Sequence, residues 1–269
     1  MISFVRNRYM GRIGNQLFQY AFARILHELT GQKLAVPAVR GFPNAVPKDG
    51  LVYDTTKVVH IRHRQRFFRL GRNVLCPALF DIFEIGRQMF EHKYNVSLCG
   101  YFESYSYFMH WADQIIDDWY QIPIPANDTK PNDILMTVRL GDIHGHPNWH
   151  SLDASYYHEC LQEMKGPNDR LFITSDEPDH EYMRVFDKYD PIFYKERPVR
   201  QLGFAKSFNR IIKSESTFSW WAAFLSRAEE VIFPRSAKGV WGLPLGDNLK
   251  VLHWQERWAK NHSKPKEQL

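Results

Sequence analysis

Short apolar runs alternate with amphipathic segments along the second half of the chain. The apolar runs predict strands, and the longer segments between them predict helices. The predicted strands are 134–138, 171–174, 192–194, 210–213 and one around Val231. The predicted helices are 154–164, 179–189, 199–208 and 220–227. Repeated β/α units of this kind are typical of a parallel, doubly wound α/β sheet.

The first half of the chain begins with a similar unit. A strand is predicted at 2–5, a glycine turn at 10–14, an amphipathic helix at 15–29 and a second strand at 34–37. The glycines allow a tight turn and a close approach of the backbone to a ligand, although the turn lacks the G-x-G-x-x-G dinucleotide pattern. A ligand loop and a plain tight turn with Asn15 as the helix cap therefore both remain open.

A change of pattern near the middle of the chain predicts a domain boundary. A strand is predicted to run into a loop over 96–103, and an aromatic segment predicts a helix at 105–119. Prolines and turn-forming polar residues follow, at Pro123, Pro125, Asn127 and Asp128. We therefore predict one domain at 1–125 and a second at 126–269.

Composition limits the class of protein. The 269 residues are 44% hydrophobic and 24% charged, which favours a folded globular chain. The net charge of +5 fits a small anionic substrate such as a nucleotide sugar, and it also fits nucleic acid or an anionic membrane surface. Cys76, Cys99 and Cys160 are odd in number and lack C-x-x-C spacing, which argues against a disulfide framework or a zinc ribbon. Without a signal-peptide core or a long apolar span, a cytoplasmic protein is expected.

A basic run at Arg62–Arg72 includes Phe67 and Phe68. A solvated face is the first interpretation of such a run, and nucleic acid is not expected as a partner. Contact with an acidic acceptor or a lipid headgroup is the alternative, which leaves peripheral membrane association open.

Polar residues stand where the predicted strands end, and ligands of open parallel sheets bind at that edge. They are Arg139 and Asp142, then Ser175 and Asp176, then Ser216, Thr217 and Phe218. An arginine there can hold a diphosphate through two hydrogen bonds, and the N–H groups of a helix start can hold an anion. Ordinary alternatives exist, because Arg139 and Asp142 can form a plain ion pair and the serines can simply cap helices.

Other catalytic patterns are weak or absent in the sequence. His144, His146 and His150 follow Asp142 closely, but no second cluster supports a metal site. The chain has no D-x-D pair of the kind that holds a nucleotide diphosphate through a divalent ion, and no G-x-S-x-G elbow of a serine hydrolase. No metal and no other cofactor are expected.

Taken in order, five segments resemble the α-1,2-fucosyltransferases of glycosyltransferase family 11. GRIGNQLFQYA at 11–21 is similar to that family's N-terminal motif, GYFES at 100–104 to its G-Y-[FW]-Q-S segment, and STFSWW at 216–221 to its N-S-T-F-S-W-W signature. FITSD at 172–176 and VIFP at 231–234 are similar to two of its strands.

The resemblance implies a GT-B fold with two facing Rossmann-like domains, and inverting, metal-independent transfer of fucose from GDP-β-L-fucose to a glycan hydroxyl. It implies a donor site mainly on 126–269 and an acceptor site largely on 1–125. The implied donor-binding residues are Gly11, Gly14, Asn15, Arg139, Ser175, Asp176, Ser216, Thr217 and Phe218. The implied catalytic residues are Arg139, Asp142 and Asn15.

The wider fucosyltransferase superfamily has an H-x-R-R-x-D motif, and the resemblance implies that its first arginine, which contacts the diphosphate, is Arg139 here. The chain departs from this motif at two positions. Arg139, Gly141 and Asp142 are kept, but Thr137 stands at the histidine and Leu140 at the second arginine. A leucine cannot replace a guanidinium in charge or hydrogen-bond donors. A related transferase with another GDP-sugar or linkage, and an inactive nucleotide- or glycan-binding protein, therefore remain alternatives.

The sequence contains three candidates for the general base that would deprotonate the acceptor hydroxyl. Asp142, Glu103 and His144 are the titratable candidates by position.

Overall fold

The computed structural model describes residues 4–7, 9–45, 58–62, 74–75, 95–103, 107–144, 151–234 and 250–251. The basic run beyond Arg62, and the residues Cys76, His146 and His150, lie outside these ranges, as do parts of the predicted elements at 2–5 and 105–119. The chain divides into two compact units, Met1–Ile122 and Pro123–Leu269. No helix in the described ranges is long and apolar enough to span a bilayer.

The first unit contains a five-stranded parallel sheet. Its strands are β1 (Phe4–Asn7), β2 (Lys33–Ala35), β3 (Val58–Arg62), β4 (Val74–Leu75) and β5 (Asn95–Cys99), in the spatial order β2-β1-β5-β3-β4. β1 pairs with β2 on one side and with β5 on the other, with Val5 opposite Leu34 and Val96. The chain segments that follow β1 and β5 therefore leave the sheet at the same edge.

Helix α1 (Ile13–Thr30) connects β1 to β2, and its apolar face forms much of the core of this unit. Leu17, Phe22 and Leu26 on this helix are fully buried. Gly31 ends the helix in the left-handed conformation (φ 65°), and its N–H bonds to the carbonyl of His27 at 2.8 Å. The helix is longer at both ends than the predicted 15–29.

The helix predicted at 105–119 is not one regular helix. Its described part is a 3-10 turn (Met109–Trp111), a single α-helical turn (Ala112–Gln114) and a π-helical turn (Ile115–Trp119). The Tyr120 hydroxyl bonds to the Leu17 carbonyl at 2.5 Å, and the ring of Tyr120 packs edge-on to Phe42. Packing against α1 and the loop after β2 accompanies this change of helical pitch, which an apolar pattern alone does not predict.

The second unit contains a six-stranded parallel sheet in the order β11-β10-β9-β6-β7-β8. The strands are β6 (Ile134–Val138), β7 (Leu171–Ser175), β8 (Ile192–Phe193), β9 (Arg210–Ile212), β10 (Glu230–Ile232) and β11 (Lys250–Val251). Every residue of β6 and β7 is buried, as expected for central strands covered on both faces. The predicted α/β class with parallel sheets is confirmed.

Three α-helices, a 3-10 helix and a short 3-10 turn lie in the described segments between these strands. They are the 3-10 turn Gly141–Ile143, α2 (Ala154–Met164), the 3-10 helix Glu181–Tyr189, α3 (Pro198–Ala205) and α4 (Thr217–Ser226). The helix predicted at 179–189 is present as a 3-10 helix that begins two residues later, at Glu181. The prediction for 220–227 was wrong at its start, since α4 begins at Thr217.

The order of the strands defines where a ligand site is expected in this unit. The chain runs from β6 outward through β7 and β8, then crosses to β9 and continues outward through β10 and β11. The direction of winding therefore reverses between β6 and β9, and ligands of such sheets bind at the carboxyl ends of the strands flanking this point.

Candidate functional site

Arg139 lies one residue beyond β6, beside this switch point. Its guanidinium donates to Asp176 Oδ2 at 2.5 Å and also forms an ion pair with Asp142. The other oxygen of Asp176 accepts the backbone N–H of Leu140 at 3.0 Å. The Arg139 side chain is 18% exposed. Two carboxylates thus hold a largely buried arginine in place, so the ion-pair interpretation of Arg139 and Asp142 is confirmed and extended to Asp176.

Ser175 ends β7 and is buried. Its hydroxyl accepts the backbone N–H of Glu177 at 3.1 Å, and its carbonyl accepts a bond from Gln201. The hydroxyl therefore stabilises the turn that presents Asp176 to Arg139.

Thr137 connects the two strands of the switch point. Its hydroxyl donates to the Ile212 carbonyl at 3.4 Å and accepts the N–H of Ser214 at 2.9 Å. Thr137 thus fixes the loop after β9 against β6.

The hydroxyl turn, residues 214–219, leads from β9 into α4. The Ser216 side chain accepts the N–H of Ser219 at 3.0 Å and caps the helix, and the Ser219 hydroxyl donates to the Ser214 carbonyl at 2.6 Å. Thr217 and Phe218 form the first turn of the helix and are half-buried. The capping interpretation is confirmed, and it is compatible with anion binding because a capped helix start keeps its positive end toward the same edge.

Lys213 is a residue of this edge that the sequence reasoning treated only as part of a strand. It follows β9, is 0% exposed, and donates from Nζ to the Ser214 carbonyl at 3.2 Å. Burial lowers its pKa to about 8. In the sequence, the feature that could have marked Lys213 as a site residue is its position as a single lysine between an apolar strand and a hydroxyl-rich loop.

The predicted site residues Gly11, Gly14 and Asn15 lie in the first unit. Helix α1 begins at Ile13 with Arg12 at its cap position, so the interpretation of Asn15 as the cap is wrong. Gly11 has φ 74°, and a Cβ atom there would lie 2.3 Å from Asn15 Nδ2. Only glycine fits this turn without strain and a clash.

Gln19 holds the same turn from the helix. Its side chain accepts the N–H of Met10 at 3.0 Å and donates to the carbonyls of Met10 and Asn15 at 2.8 and 2.9 Å. The buried amide explains why a glutamine stands in the middle of an otherwise apolar helix face.

Glu103 lies in the segment after β5, at the sheet edge shared with the glycine turn. Gly100 (φ 150°) and Phe102 (φ 54°) give this segment an unusual backbone, and the Phe102 ring stacks on Phe22 at 4.2 Å. Glu103 is 8% exposed, and burial raises its pKa to about 7.

The other two candidate bases have different surroundings. The Asp142 side chain is 58% exposed and paired with Arg139. His144 is exposed and lies 2.9 Å from the Ser151 hydroxyl through Nδ1. Within the described ranges, no group of three or more His, Cys, Asp and Glu side chains is arranged to hold a metal ion.

Comparison with known proteins gives distant structural similarities. No family model and no curated protein matches the chain. A mutant of Arabidopsis thaliana FUT1 in complex with GDP aligns at 12% identity and a TM-score of 0.49, covering 84% of this chain and 69% of that one. POFUT1 in complex with GDP-fucose aligns at 13% identity and a TM-score of 0.43, covering 82% of this chain and 93% of that one. NodZ α-1,6-fucosyltransferase co-crystallized with GDP aligns at 13% identity and a TM-score of 0.40, covering 84% of this chain and 93% of that one.

Proposed function

We propose that the chain is a fucosyltransferase of the family its motifs resemble. It transfers L-fucose from GDP-β-L-fucose, with inversion and without a metal, to a glycan hydroxyl, most simply O-2 of a galactose residue. In this proposal the second unit binds the donor and the first unit binds the acceptor.

The observation that carries the proposal is the pairing of Arg139 with the hydroxyl turn at the switch point of the second sheet. Arg139 follows β6, and the hydroxyl turn follows the adjacent strand β9. The hydroxyl of Thr137, on β6, accepts the N–H of Ser214 and so holds the turn beside β6. A guanidinium and a helix start on neighbouring strand ends are suited to a diphosphate. Asp176, which directly follows β7 on the other side of β6, can accept hydrogen bonds from a ribose or a base.

The reaction needs stabilisation of the leaving GDP while positive charge develops on the fucose ring. Arg139 supplies hydrogen-bond donors, and the first turn of α4 supplies the positive end of a helix dipole. In the free protein the guanidinium of Arg139 forms ion pairs with Asp142 and Asp176. We propose that the diphosphate takes the place of Asp142, the more exposed of the two carboxylates, while Asp176 keeps Arg139 oriented.

The acceptor hydroxyl must lose a proton as the glycosidic bond forms. Of the three candidate bases, we propose Glu103, because a carboxyl with a pKa near neutrality accepts a proton more effectively than an exposed, ion-paired one. Asn15, at the neighbouring glycine turn of the same unit, is proposed to orient the acceptor.

GDP release from nucleotide sugars tests the assignment. The purified full chain is incubated with GDP-fucose, GDP-mannose and other nucleotide sugars, with and without EDTA and with a galactoside acceptor. Release from GDP-fucose that persists in EDTA is expected. Release only from another donor, or only with added metal, would show that the donor or the metal independence is wrong, and binding of GDP without any turnover would favour an inactive binding protein.

Replacement of Arg139 by alanine is expected to reduce kcat about a hundredfold or more, since a charged contact to the leaving group is worth on the order of 3 kcal/mol. Arg200→Ala is the matched control, because this arginine on α3 is 62% exposed and pairs with Glu196. The control should keep its activity. Equal losses in the two variants would count against a role for Arg139 in the donor site.

A further inference from the structure

Lys213 is a buried cation in a place where the free protein gives it little compensation. Its side chain is 0% exposed, and its ammonium donates one hydrogen bond, to the Ser214 carbonyl. In the described part of the chain the nearby charge of Glu215 favours the ammonium, but the contact of Nζ is with a carbonyl rather than with a carboxylate. Burial of a charge without an ionic partner is costly, so a partner supplied by a ligand would account for this lysine.

The surroundings of Lys213 fix its backbone at the switch point. Its N–H bonds to the Ile232 carbonyl of β10 at 2.9 Å, and its carbonyl accepts the Tyr156 hydroxyl of α2 at 2.7 Å. The ammonium lies 5.8 Å from the centroid of the Phe233 ring. The charge is therefore held behind the carboxyl ends of β9 and β10.

The Ser214 carbonyl connects this charge to the hydroxyl turn. Besides the lysine, it accepts the N–H of Ser216 at 3.0 Å and the hydroxyl of Ser219 at 2.6 Å. The same carbonyl thus anchors the cap of α4 and the ammonium. Any anion bound at the start of α4 is separated from Lys213 by this turn, in surroundings of low dielectric where charges interact strongly.

Leu140 explains why a second cation is needed. This residue stands where the superfamily motif has its second arginine, and it is fully buried and uncharged. Arg139 is itself shared between two carboxylates. Among the described residues that directly follow β6, β7 and β9, the cations are Arg139 and Lys213.

We propose that Lys213 is this second cation: its buried ammonium, held by the Ser214 carbonyl, supplies charge to the diphosphate through the hydroxyl turn and so replaces the missing arginine. Since its side chain does not reach the surface, it is a positioning residue rather than a catalytic one. The inference rests on the proposed donor site and extends it.

Binding is measured by calorimetry for the parent chain and for Lys213→Met, with GDP and with inorganic pyrophosphate as ligands. Methionine keeps the apolar stem and removes the charge. We expect Lys213→Met to bind both ligands about tenfold to a hundredfold more weakly, because the variant has no charge that can interact with the diphosphate. Lys188→Met, on the exposed face of the 3-10 helix, is the control and should bind like the parent.

Melting temperature separates this role from a merely structural one. At pH 7 the parent holds an unpaired buried charge, so Lys213→Met should melt at the same temperature or higher. A residue needed only to build the fold would lower the melting temperature when replaced.

The dependence of binding on pH gives an independent readout. The free protein loses the ammonium proton near pH 8, whereas a bound diphosphate favours the charged form, so GDP affinity should be full below pH 8 and fall above it. The titratable neighbours are Glu215 on the same turn, whose charge favours the ammonium, and Tyr156 and Cys160 on α2. Burial raises the pKa of both α2 groups, which keeps them protonated in this range.

Lys213→Met should lose this fall in affinity above pH 8, while titration of GDP itself affects both proteins equally. GDP affinity of the variant within twofold of the parent, or an unchanged pH profile, would overturn the inference while leaving the proposed transferase intact. Pyrophosphate binding that depends on Lys213, in a parent chain that does not bind GDP, would support the inference and show that the proposed donor is wrong.

Discussion

Among the candidate bases, Glu103 is the carboxyl group whose burial raises its pKa, to about 7. No hydrogen bond or ion pair to it comes from the described residues, and it is 8% exposed. Phe102, which precedes it, has a left-handed backbone because its ring is fixed against Phe22 in the core. Backbone strain of this kind, here directly before Glu103, is common at functional sites.

Replacement of Glu103 by glutamine tests its role as the base. We expect kcat for fucosyl transfer to fall at least about a hundredfold, the usual contribution of a general base, with the KM for GDP-fucose little changed. In the parent, kcat should rise with pH as the carboxyl ionises through about 7. The variant should lack this rise, as measured by initial rates between pH 5.5 and 8.5.

Stability should change in the opposite direction from activity. The pKa of Glu103 is raised above its unfolded value, so this carboxyl stabilises the fold at low pH and the stabilisation is lost as pH rises through about 7. Glu103→Gln should therefore be more stable than the parent at pH 8, by up to roughly 3 kcal/mol, and similar at pH 5. Glu163→Gln on the exposed face of α2 is the control. A kcat within threefold of the parent would exclude Glu103 as the base.

Sequence reasoning identified some of these residues and not others, for physical reasons. The position of Arg139 follows from the rule that ligands bind at the ends of parallel strands, so its place at that edge was predictable. The burial of Lys213 was expected from its place in the apolar run 210–213, but the burial of Glu103 was not. The segment that carries Glu103 packs through Phe102 on Phe22, a residue that is distant in the sequence and reaches it only in the folded chain.

Among the elements, α4 combines a structural cap with a proposed ligand-binding end. Ser216→Ala removes the hydroxyl that accepts the N–H of Ser219. We expect a loss of about 1 kcal/mol in the free energy of unfolding, the usual value for a cap, and weaker GDP binding because the hydroxyl turn is no longer held. Denaturant unfolding and calorimetry measure the two effects.

A second cap in the same unit provides the matched control. Asp153 caps α2 by accepting the N–H of Ser155 at 2.8 Å. Asp153→Ala should lose a similar stability and keep the GDP affinity of the parent. If both cap variants bind GDP equally, the hydroxyl turn is a structural element only.

The start of α4 also explains one error in the predicted elements. The apolar run from Trp220 onward suggested that the helix begins there, but the cap formed by Ser216 extends the helix to Thr217. Hydrophobic periodicity identifies the buried face of a helix, whereas its first residue depends on which side chain satisfies the free N–H groups. The prediction of one regular helix at 105–119 was wrong for a related reason, because the changes of helical type in this segment accompany tertiary packing.

Across the whole molecule, the positive charge is unevenly divided between the two units. Residues 1–122 carry 15 Lys and Arg against 10 Asp and Glu, and residues 123–269 carry 20 of each. The entire net charge of +5 therefore belongs to the first unit. The second unit, the proposed donor unit, is neutral overall, so its proposed binding of a diphosphate depends on local groups such as Arg139 and Lys213.

An excess of positive charge on the proposed acceptor unit favours anionic acceptors. Surface charges of one sign raise the local concentration of ligands of the other sign, and salt screens this attraction. The expectation belongs to the unit as a whole, because it follows from net charge rather than from a particular contact.

A sulfated galactoside and its unsulfated parent sugar test this expectation on the intact enzyme. At 0.1 M salt, where charges act over roughly 10 Å, the sulfated acceptor should have a KM about threefold to tenfold lower. At 1 M salt the range falls to about 3 Å, and the two KM values should approach each other. The KM for GDP-fucose, measured in the same series, shows how much of the salt effect comes from the donor. An advantage of the sulfated sugar that survives 1 M salt would indicate a specific sulfate contact, and no advantage at either salt would show that the charge of the first unit does not act on the acceptor.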